Sequence, residues 1–385
     1  MSTNINNTPL APLKGGIVFM LMLMCVVSAQ ELSKLAHELP QSRREFEQAR
    51  APRVWRFPRD HGQHEAFQTE WWYYTGNLRS ADGRRFGYQL TFFRNALATE
   101  TPARQSRWAF REGYVAHFTI TAVDQQKFFY DQRMTRGALQ LAGAANDSLA
   151  VNVGAWSASG GNDAMRLQAQ SAWGSIALEL RAAHAPVLHG AQGLVRKGSN
   201  PGEASYYYSQ PFLQTSGRMR VGEDTMAVAG VSWMDHEFFT SPQQSDVAGW
   251  DWFSLHLSDS SAIMLYVLRQ ADGSVSKFSG GTLMSPGKSA TLPFGAFEAR
   301  PREWWRSPAT GGKYPLVWEL QVGEYDLRVT APVREQELDT RLTTGVIYWE
   351  GYIAVSGKKK TQPITGLGYL EMTGYAQRVA LNARR

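Results

Sequence analysis

Residues 70–94 read EWWYYTGNLRSADGRRFGYQLTFFR, and they decide the fold class of this 385-residue chain. Two runs rich in aromatic residues, 70–78 and 85–94, flank a short polar turn that contains Asp82-Gly83. Asp-Gly between two such runs is a strong signal of a β-hairpin. In the second run, alternate positions share one face of a strand; these are Phe86, Tyr88, Leu90 and Phe92. The pattern predicts two paired antiparallel strands.

The rest of the chain repeats this pattern, and no long segment with a helical period interrupts it. Strand-like runs separated by Gly, Asp, Asn and Ser occur at 114–133, 165–181, 226–237, 249–269, 316–329, 345–355 and 366–373. That is roughly eight strands per half at intervals of about ten residues, which is typical of β-barrels and β-sandwiches.

The composition excludes several classes of protein. Aromatic residues make up 12% of the chain and charged residues 19%, whereas disordered chains, coiled coils and collagens need other compositions. The net charge is +6, and the lysines at 358–360 form a short cluster. A nucleic-acid groove needs a longer basic stripe, so we expect no nucleic-acid partner.

The first 29 residues have the pattern of a secretory signal. Lys14 precedes a run without charge at 15–29, and this run ends in the small residues Val27-Ser28-Ala29. About fifteen apolar residues fall short of the roughly twenty that span a bilayer. We therefore expect export across the inner membrane to the periplasm or envelope, with an uncleaved anchor as the alternative.

Cysteine chemistry is excluded from the mature chain. Cys25 is the one cysteine, and it lies inside the predicted signal. Cleavage after Ala29 leaves no disulfide, thiolate metal site or cysteine nucleophile. Acylation of Cys25 is the alternative, although Met24 replaces the small residue that a lipoprotein signal needs.

The sequence predicts two similar β units after a leader. Residues 30–54 are polar and form either a loose leader or a short leader helix that lies on the folded body. The first unit is predicted over 55–241 and the second over 242–385, with the boundary at the polar, proline-containing stretch 241–246. The aromatic hairpin at 70–94 has a weaker echo at 249–269, which supports two related units.

The densest polar cluster is the strand segment Trp233 to Glu237. Asp235 and Glu237 share one face with Trp233, while His236 lies on the other face. Two carboxyl groups beside a tryptophan form a candidate acid–base pair, because repulsion and an apolar wall raise a carboxyl pKa. The alternative is a structural pair bound to an arginine.

Further candidates would line a ligand site. Trp250 and Trp252 share one strand face, and Asp251 lies on the other. Paired indoles either line a pocket or fill a core. The remaining candidates are Glu70, Trp71, Trp72, His117, and the two arginines Arg94 and Arg269, which end equivalent strands and are predicted to pair with Asp235 or Glu237. A buried, hydrogen-bonded histidine is the simpler interpretation of His117.

The sequence does not predict a metal site. His61, His64 and Glu70 could supply ligands, but no helical spacing aligns them. The sequence also contains no Gly-x-Ser-x-Gly elbow, phosphate-binding loop or dinucleotide fingerprint. No cofactor is predicted.

Several segments together resemble the AttH-like family of secreted proteins, which is related to carotenoid 1,2-hydratases and kievitone hydratase. They are FPRDHG at 57–62, TEWWYYTG at 69–76, SYYYS at 205–209, GVSWMDHEF at 230–238, GWDWFSL at 249–255, YWEG at 348–351 and GLGYLEMTGY at 366–375. The resemblance covers roughly residues 55–376. It implies an all-β fold of two consecutive lipocalin-like antiparallel barrels packed together.

The resemblance also implies an activity. Hydratases of this kind protonate an isolated alkene with a carboxylic acid, stabilise the cation on aromatic faces and capture it with water. Asp235 or Glu237 would be the acid, and His236 would orient the acid or the water. Trp233, Trp250, Trp252 and Tyr266 would form the wall. The hydratase pattern places an aspartate two positions after a later tyrosine, whereas Tyr266-Val267-Leu268 has none, which argues against carotenoid hydration itself.

Three functions follow as hypotheses. The first is a secreted carrier that binds a lipid or isoprenoid-like ligand in an aromatic cleft and exchanges it with a membrane export system. The second is a cofactor-independent hydratase or hydrolase that acts through Asp235, His236 and Glu237. The third is a structural role in which tightly packed barrels leave no cavity. The enzyme hypothesis predicts a carboxyl group with a raised pKa that faces an enclosed cavity. The carrier hypothesis predicts Asp235 and Glu237 bound to arginines beside an apolar cavity.

Overall fold

The structure is a computed structural model that describes residues 45–99, 106, 109–240 and 246–378. The predicted signal peptide, most of the leader and residues 241–245 of the predicted boundary lie outside this part. The division into two domains therefore stays a prediction.

The predicted leader helix is wrong where the leader is described. Residues 45–54 contain no helix and pack against the first sheet and the loop before it. The Glu47 amide donates to the Ala66 carbonyl at 2.8 Å, and Ala49 is buried beside Phe67. Pro52 also disfavours helical backbone at the residue before it.

Strands are the dominant regular structure of the described residues, which confirms the predicted all-β class. Helix in this part of the chain is limited to two 3₁₀ turns, Arg59–His61 and Val123–Gln125. Within the described ranges, none of the helices has the length and apolarity that a bilayer crossing requires.

Thirteen strands of the described chain form the first sheet, a nearly closed antiparallel barrel. Its order is β4-β3-β2-β1-β13-β12-β9-β8-β7-β6-β5, and β10 and β11 pair with β12. The strands are β1 Thr69–Ser80, β2 Arg85–Ala96, β3 Glu112–Ala122, β4 Lys127–Arg136, β5 Ala142–Ala144, β6 Leu149–Val153, β7 Trp156–Gly160, β8 Ala164–Gln170, β9 Gly174–Ala182, β10 Val187–Leu188, β11 Leu194–Arg196, β12 Ala204–Val221 and β13 Asp224–Phe239.

Ten strands form the second sheet, in the order β17-β16-β15-β14-β25-β24-β22-β21-β18, and β23 pairs with β24. They are β14 Val247–Leu257, β15 Ala262–Gln270, β16 Gly280–Ser285, β17 Lys288–Leu292, β18 Phe297–Pro301, β21 Val317–Val322, β22 Tyr325–Thr330, β23 Glu337–Thr340, β24 Val346–Lys359 and β25 Gln362–Thr373. A separate small hairpin joins β19 Trp304–Arg306 to β20 Lys313–Pro315.

The predicted internal echo corresponds to equivalent positions in the two sheets. The hairpin β1–β2 continues into β3 and β4, and β1 pairs on its other side with β13. The hairpin β14–β15 continues into β16 and β17 in the same way, and β14 pairs on its other side with β25. The Asp82-Gly83 turn forms as predicted, with Gly83 at a φ of 89°.

The two sheets pack against each other through a third core. Inward side chains fill one core inside each sheet, for example Trp72 in the first and Phe253 in the second. The residues adjacent to these two, Tyr73 and Trp252, point to the opposite face of their strands and into a shared aromatic cluster. Both faces of β1 and β14 are therefore buried, and the contact between the sheets collects polar groups from both halves.

Candidate active site

The contact between the sheets holds a group of buried acids and aromatic rings, which we call the inter-sheet site. Side-chain alternation places these residues there, since each one is flanked by neighbours that point into a barrel core. The first sheet contributes Tyr73, Tyr207, Trp233, Asp235 and Glu237, and the second contributes Trp250, Trp252, Glu350 and Glu371.

Asp235 is 3% exposed and accepts hydrogen bonds from three side chains. Tyr207 Oη donates to Oδ2 at 2.6 Å, Trp233 Nε1 donates to Oδ1 at 2.6 Å, and Ser209 Oγ also donates to Oδ1. Burial raises the pKa of Asp235 to about 7, although these three donors lower it. The group therefore exchanges its proton near neutral pH.

Glu350 and Glu371 face each other across neighbouring strands. They are direct partners in the β24–β25 register, and both side chains point toward the first sheet. Tyr73 Oη donates to Glu350 Oε1 at 2.7 Å, and Trp250 Nε1 donates to Glu371 Oε1 at 2.6 Å. Burial, with the Glu371 charge, holds the pKa of Glu350 well above its usual range, and burial raises the pKa of Glu371 to about 7. The pair holds at least one proton at neutral pH, since adjacent buried carboxylates repel each other.

A lysine neutralises the fourth carboxyl group. Lys197 Nζ lies 2.9 Å from Glu237 Oε1, and its ammonium stands 5.0 Å from the Tyr266 ring centroid. Lys197, Tyr266, Trp250 and Glu371 are all partly exposed, so they form the solvent-facing edge of the inter-sheet site.

The aromatic rings beside these acids form a wall. Tyr73 and Trp252 meet edge to face with their centroids 5.1 Å apart, and Trp233 meets Trp252 in the same way at 6.1 Å. The Trp252 indole also donates to Tyr207 Oη at 3.0 Å. Electron-rich ring faces attract a cation, so the inter-sheet site combines a proton donor, proton acceptors and surfaces that suit positive charge.

Comparison with known proteins places the chain in a family. The AttH-like family model matches residues 48–375. This chain belongs to the AttH-like family. The resemblance predicted from the sequence is thereby confirmed, and a protein from Nitrosomonas europaea described as AttH has a similar solved structure. That structure has a TM-score of 0.76 and 31% identity, and the match covers 84% of this chain and 99% of that one.

Two enzymes are also similar to this AttH-like chain, one in fold and one in sequence. Kievitone hydratase from Nectria haematococca has a TM-score of 0.66 at 15% identity, over 88% of this chain and 98% of that one. This likeness concerns the fold. The dehydratase asqC from Emericella nidulans is 21% identical over 225 residues, which are 54% of this chain and 60% of that enzyme.

The structure divides the predicted site residues of the AttH-like chain into three groups. Eight lie at the contact between the sheets: Trp71, His117, Trp233, Asp235, Glu237, Trp250, Trp252 and Tyr266. Four lie inside the first barrel: Glu70, Trp72, Arg94 and His236. Asp251 and Arg269 belong to the second sheet, on the side of β14 away from the first.

His236 does not orient Asp235 or Glu237, which corrects the grouping of these three as one set. Its side chain points into the first barrel, where Nε2 lies 2.8 Å from Glu70 Oε1. The reason is strand alternation, because adjacent residues of β13 face opposite sides. Trp72 stacks on the His236 ring at 4.9 Å.

The two predicted arginine pairings with Asp235 or Glu237 are also wrong. Arg94 Nε donates to Glu112 Oε2 at 2.6 Å inside the first barrel. Arg269 Nε donates to Asp251 Oδ2 at 3.0 Å. Each arginine instead binds a carboxylate of its own sheet, on the side that faces away from the inter-sheet site.

His117 is buried and hydrogen-bonded, as its simpler interpretation expected. Its Nδ1 lies 2.7 Å from Tyr348 Oη of the second sheet, and Nε2 lies 3.2 Å from Thr343 Oγ1. Burial lowers its pKa to about 3. The neutral ring therefore joins the two sheets.

One group inside the first barrel has the residue types of a metal site. His64, Glu70 and His236 each offer one ligand atom, and these atoms lie within 4.8 Å of one another. His64 Nδ1 and His236 Nε2 both lie 2.8 Å from Glu70 Oε1. The sequence had suggested His61 instead of His236; the structure places His61 Nδ1 against Tyr208 Oη.

Sequence reasoning missed the second pair of acids. Glu350 and Glu371 lie in segments that carried the family resemblance, but neither was a site candidate. The sequence did contain a hint of these site residues. Each of the two aromatic strands has a single glutamate, and its other side chains are suited to burial on both faces. Lys197 gave no signal, since its loop position looks like an ordinary solvated lysine.

Proposed function

We propose that this chain is an acid-catalysed hydro-lyase that adds water to, or removes water from, a carbon–carbon double bond of an apolar substrate. The observation that carries the proposal is the facing pair of the buried Glu350 and the partly exposed Glu371, which lies with Asp235 among aromatic rings. Such a pair supplies a carboxylic acid that stays protonated at neutral pH.

In the hydration direction, the proton held by Glu350 and Glu371 passes to one alkene carbon. The π electron pair forms the new C–H bond, and the adjacent carbon becomes a cation. The faces of Trp252 and Tyr73 stabilise this charge. Because burial raises the pKa of this acid, it stays protonated at neutral pH and is available as the proton donor.

Water then captures the cation. Its oxygen forms the C–O bond, and Asp235 accepts the proton that the oxygen loses. The net change is one alkene plus one water to one alcohol, and the proton returns to the glutamate pair through solvent. Dehydration runs through the same groups in reverse. Lys197, paired with Glu237 at the exposed edge, favours a substrate that carries an oxygen acceptor near the reacting bond.

Two observations favour an enzyme over a carrier of an apolar ligand. A carrier needs an apolar lining, and three acids with raised pKa values would weaken one. In addition, the carrier hypothesis expected Asp235 bound to an arginine, whereas its partners among the described residues are Tyr207, Trp233 and Ser209. The relatives include one protein named as a hydratase and one named as a dehydratase. The predicted signal peptide supports a reaction in the envelope.

The test uses kievitone and a set of acyclic isoprenoid alkenes in H₂¹⁸O. We expect a product heavier than its substrate by one ¹⁸O-water, detected by mass spectrometry. Glu350→Gln and Glu371→Gln should slow its formation at least about 100-fold, which is the usual contribution of a general acid. Glu337→Gln is the matched control, since Glu337 is a partly buried glutamate of the same sheet that binds Tyr314 instead.

Native mass spectrometry of the wild type and the Glu371→Gln variant covers substrates outside that set. The proposal is supported if a ligand is bound only to the variant, and if the wild type yields a compound whose mass differs from that ligand by one water. One apolar ligand of the same mass in both proteins would establish the carrier instead. The proposal is also contradicted if neither a product nor a difference in ligand is found.

A further inference from the structure

The His64, Glu70 and His236 group of the first barrel lies apart from the inter-sheet acids and takes no part in the proposed reaction. The three residues come from separate segments: the loop before β1, β1 itself and β13. All three are buried, at 6%, 0% and 0% exposure. The structure thus brings two imidazoles and a carboxylate to one point in the interior.

The outer atoms of these side chains have the partners that metal ligands usually have. His64 Nε2 lies 3.3 Å from Asp60 Oδ1, and His236 Nδ1 lies 3.0 Å from Tyr208 Oη. Glu70 Oε2 accepts the backbone N–H of His64 at 2.9 Å. A histidine that binds a metal through one nitrogen commonly donates its other N–H to a carboxylate or similar acceptor. Here all three inner atoms converge while each outer atom is held.

We propose that His64 Nδ1, His236 Nε2 and Glu70 Oε1 bind one divalent first-row transition ion. Two imidazoles and one carboxylate suit Zn²⁺ or Fe²⁺ and leave further coordination positions open. Asp60, the outer carboxylate on His64, is itself held by Arg53 at 3.0 Å and Arg59 at 2.9 Å.

The geometry needs only a small adjustment. Ligand atoms at about 2.1 Å from one ion lie about 3.0 Å apart at a right angle and about 3.4 Å apart at the tetrahedral angle. The two nitrogens now lie 2.8 Å from Glu70 Oε1. The rings bind as neutral tautomers, with the remaining proton on the nitrogen that faces Asp60 or Tyr208.

An entry path exists on the His64 side. A surface groove of about 540 Å³ reaches His64 and is also lined by Gln63, Glu65 and Asn146. The opposite side is closed, since Phe238 stacks on His64 with the ring centroids 3.6 Å apart and Trp72 covers His236. The ion would therefore enter along the groove, and its free coordination positions would face the groove.

The test titrates EDTA-treated protein with Co²⁺ and follows the visible d–d absorption. We expect one Co²⁺ per chain, and an affinity that falls more than about 100-fold in His64→Gln and His236→Gln. Tyr208→Phe removes only the outer hydrogen bond and should weaken binding about 10- to 100-fold. Tyr88→Phe is its matched control, because Tyr88 is a buried tyrosine of the same barrel bonded to Ser232, and we expect no change there.

Wild-type protein that gives no d–d absorption overturns the proposal without reference to any variant. Binding that His236→Gln leaves intact also overturns it, since the ion would then lie elsewhere. Near-UV circular dichroism establishes that each variant is folded. If His236→Gln does not fold, Tyr208→Phe decides, because it retains the ring and its packing.

Discussion

At the scale of single residues, burial and local contacts shift the pKa values of Asp235 and Glu70 in opposite directions. Asp235 and Glu70 are both buried aspartate or glutamate side chains of the central strands. Burial dominates at Asp235 and raises its pKa. At Glu70, the nearby His64 and the hydrogen bonds from both histidines outweigh burial and lower the pKa below its usual value. The two faces of one sheet thus hold one carboxyl group with a raised pKa and one with a lowered pKa.

We predict that Asp235→Asn changes the pH dependence of stability. The pKa of Asp235 rises on folding from an ordinary 3.8 to about 7. Its favourable contribution is therefore present below about pH 4 and is lost as the pH rises through 7, up to about 4 kcal/mol. Asparagine does not ionise, so the free energy of unfolding of the variant, relative to wild type, should increase from pH 4 to pH 8. Urea unfolding at several pH values measures this, and a constant difference would contradict it.

At the scale of elements, the tight packing of β1, β2 and β13 holds both sites in register. Gly76 of β1 lies where these three strands meet, opposite Tyr88 and Ser232 in the register. A Cβ on Gly76 would overlap the Tyr88 ring and lie 2.5 Å from Ser232 Oγ. The Tyr88 hydroxyl bonds to Ser232 at 2.7 Å across this position. Glycine here allows a ring to cross the strand.

We predict that Gly76→Ala lowers the free energy of unfolding by about 1–3 kcal/mol, the usual cost of overpacking a core. Gly113→Ala in β3 is the matched control, because a Cβ there meets no atom within 4 Å. Replacing this glycine should be neutral or stabilise the strand by less than about 1 kcal/mol. Denaturant unfolding compares the two variants, and equal effects would argue against a steric cause.

At the scale of the whole molecule, polar contacts as well as rings join the two sheets. Asn77 Nδ2 donates to the Gly368 carbonyl at 3.1 Å, and Thr121 Oγ1 donates to Gln336 at 2.6 Å. His189 Nδ1 lies 2.8 Å from Thr282 Oγ1. All of these groups are buried, so separating the sheets would leave polar atoms exposed together with a large aromatic surface.

We predict that the two halves unfold in one cooperative transition. The calorimetric and van't Hoff enthalpies of the protein should agree. Trp252→Ala should destabilise both halves together by about 3–5 kcal/mol, because it removes a ring of the shared core. Differential scanning calorimetry measures both effects. Two resolved transitions in the wild type would mean that the sheets are independent.

The sequence by itself determined the strands and which residues share a face. Alternation and turn chemistry are local properties, so the hairpin at 70–94 and its echo could be predicted, as could the common face of Trp233, Asp235 and Glu237. The family resemblance then gave the fold. Strand alternation also places His236 and Asp235 on opposite faces of their strand. The predicted catalytic set nevertheless grouped these two residues.

Only the tertiary structure decided which faces meet. Glu350 and Glu371 lie 21 positions apart and far along the chain from Asp235, and His64 meets His236 across most of the first unit. No local period encodes these meetings, because they depend on how strands pair and on how one sheet packs upon the other. Burial, and with it the protonation of each acid, follows from that packing. The chemistry of both sites is therefore a property of the assembled sheets.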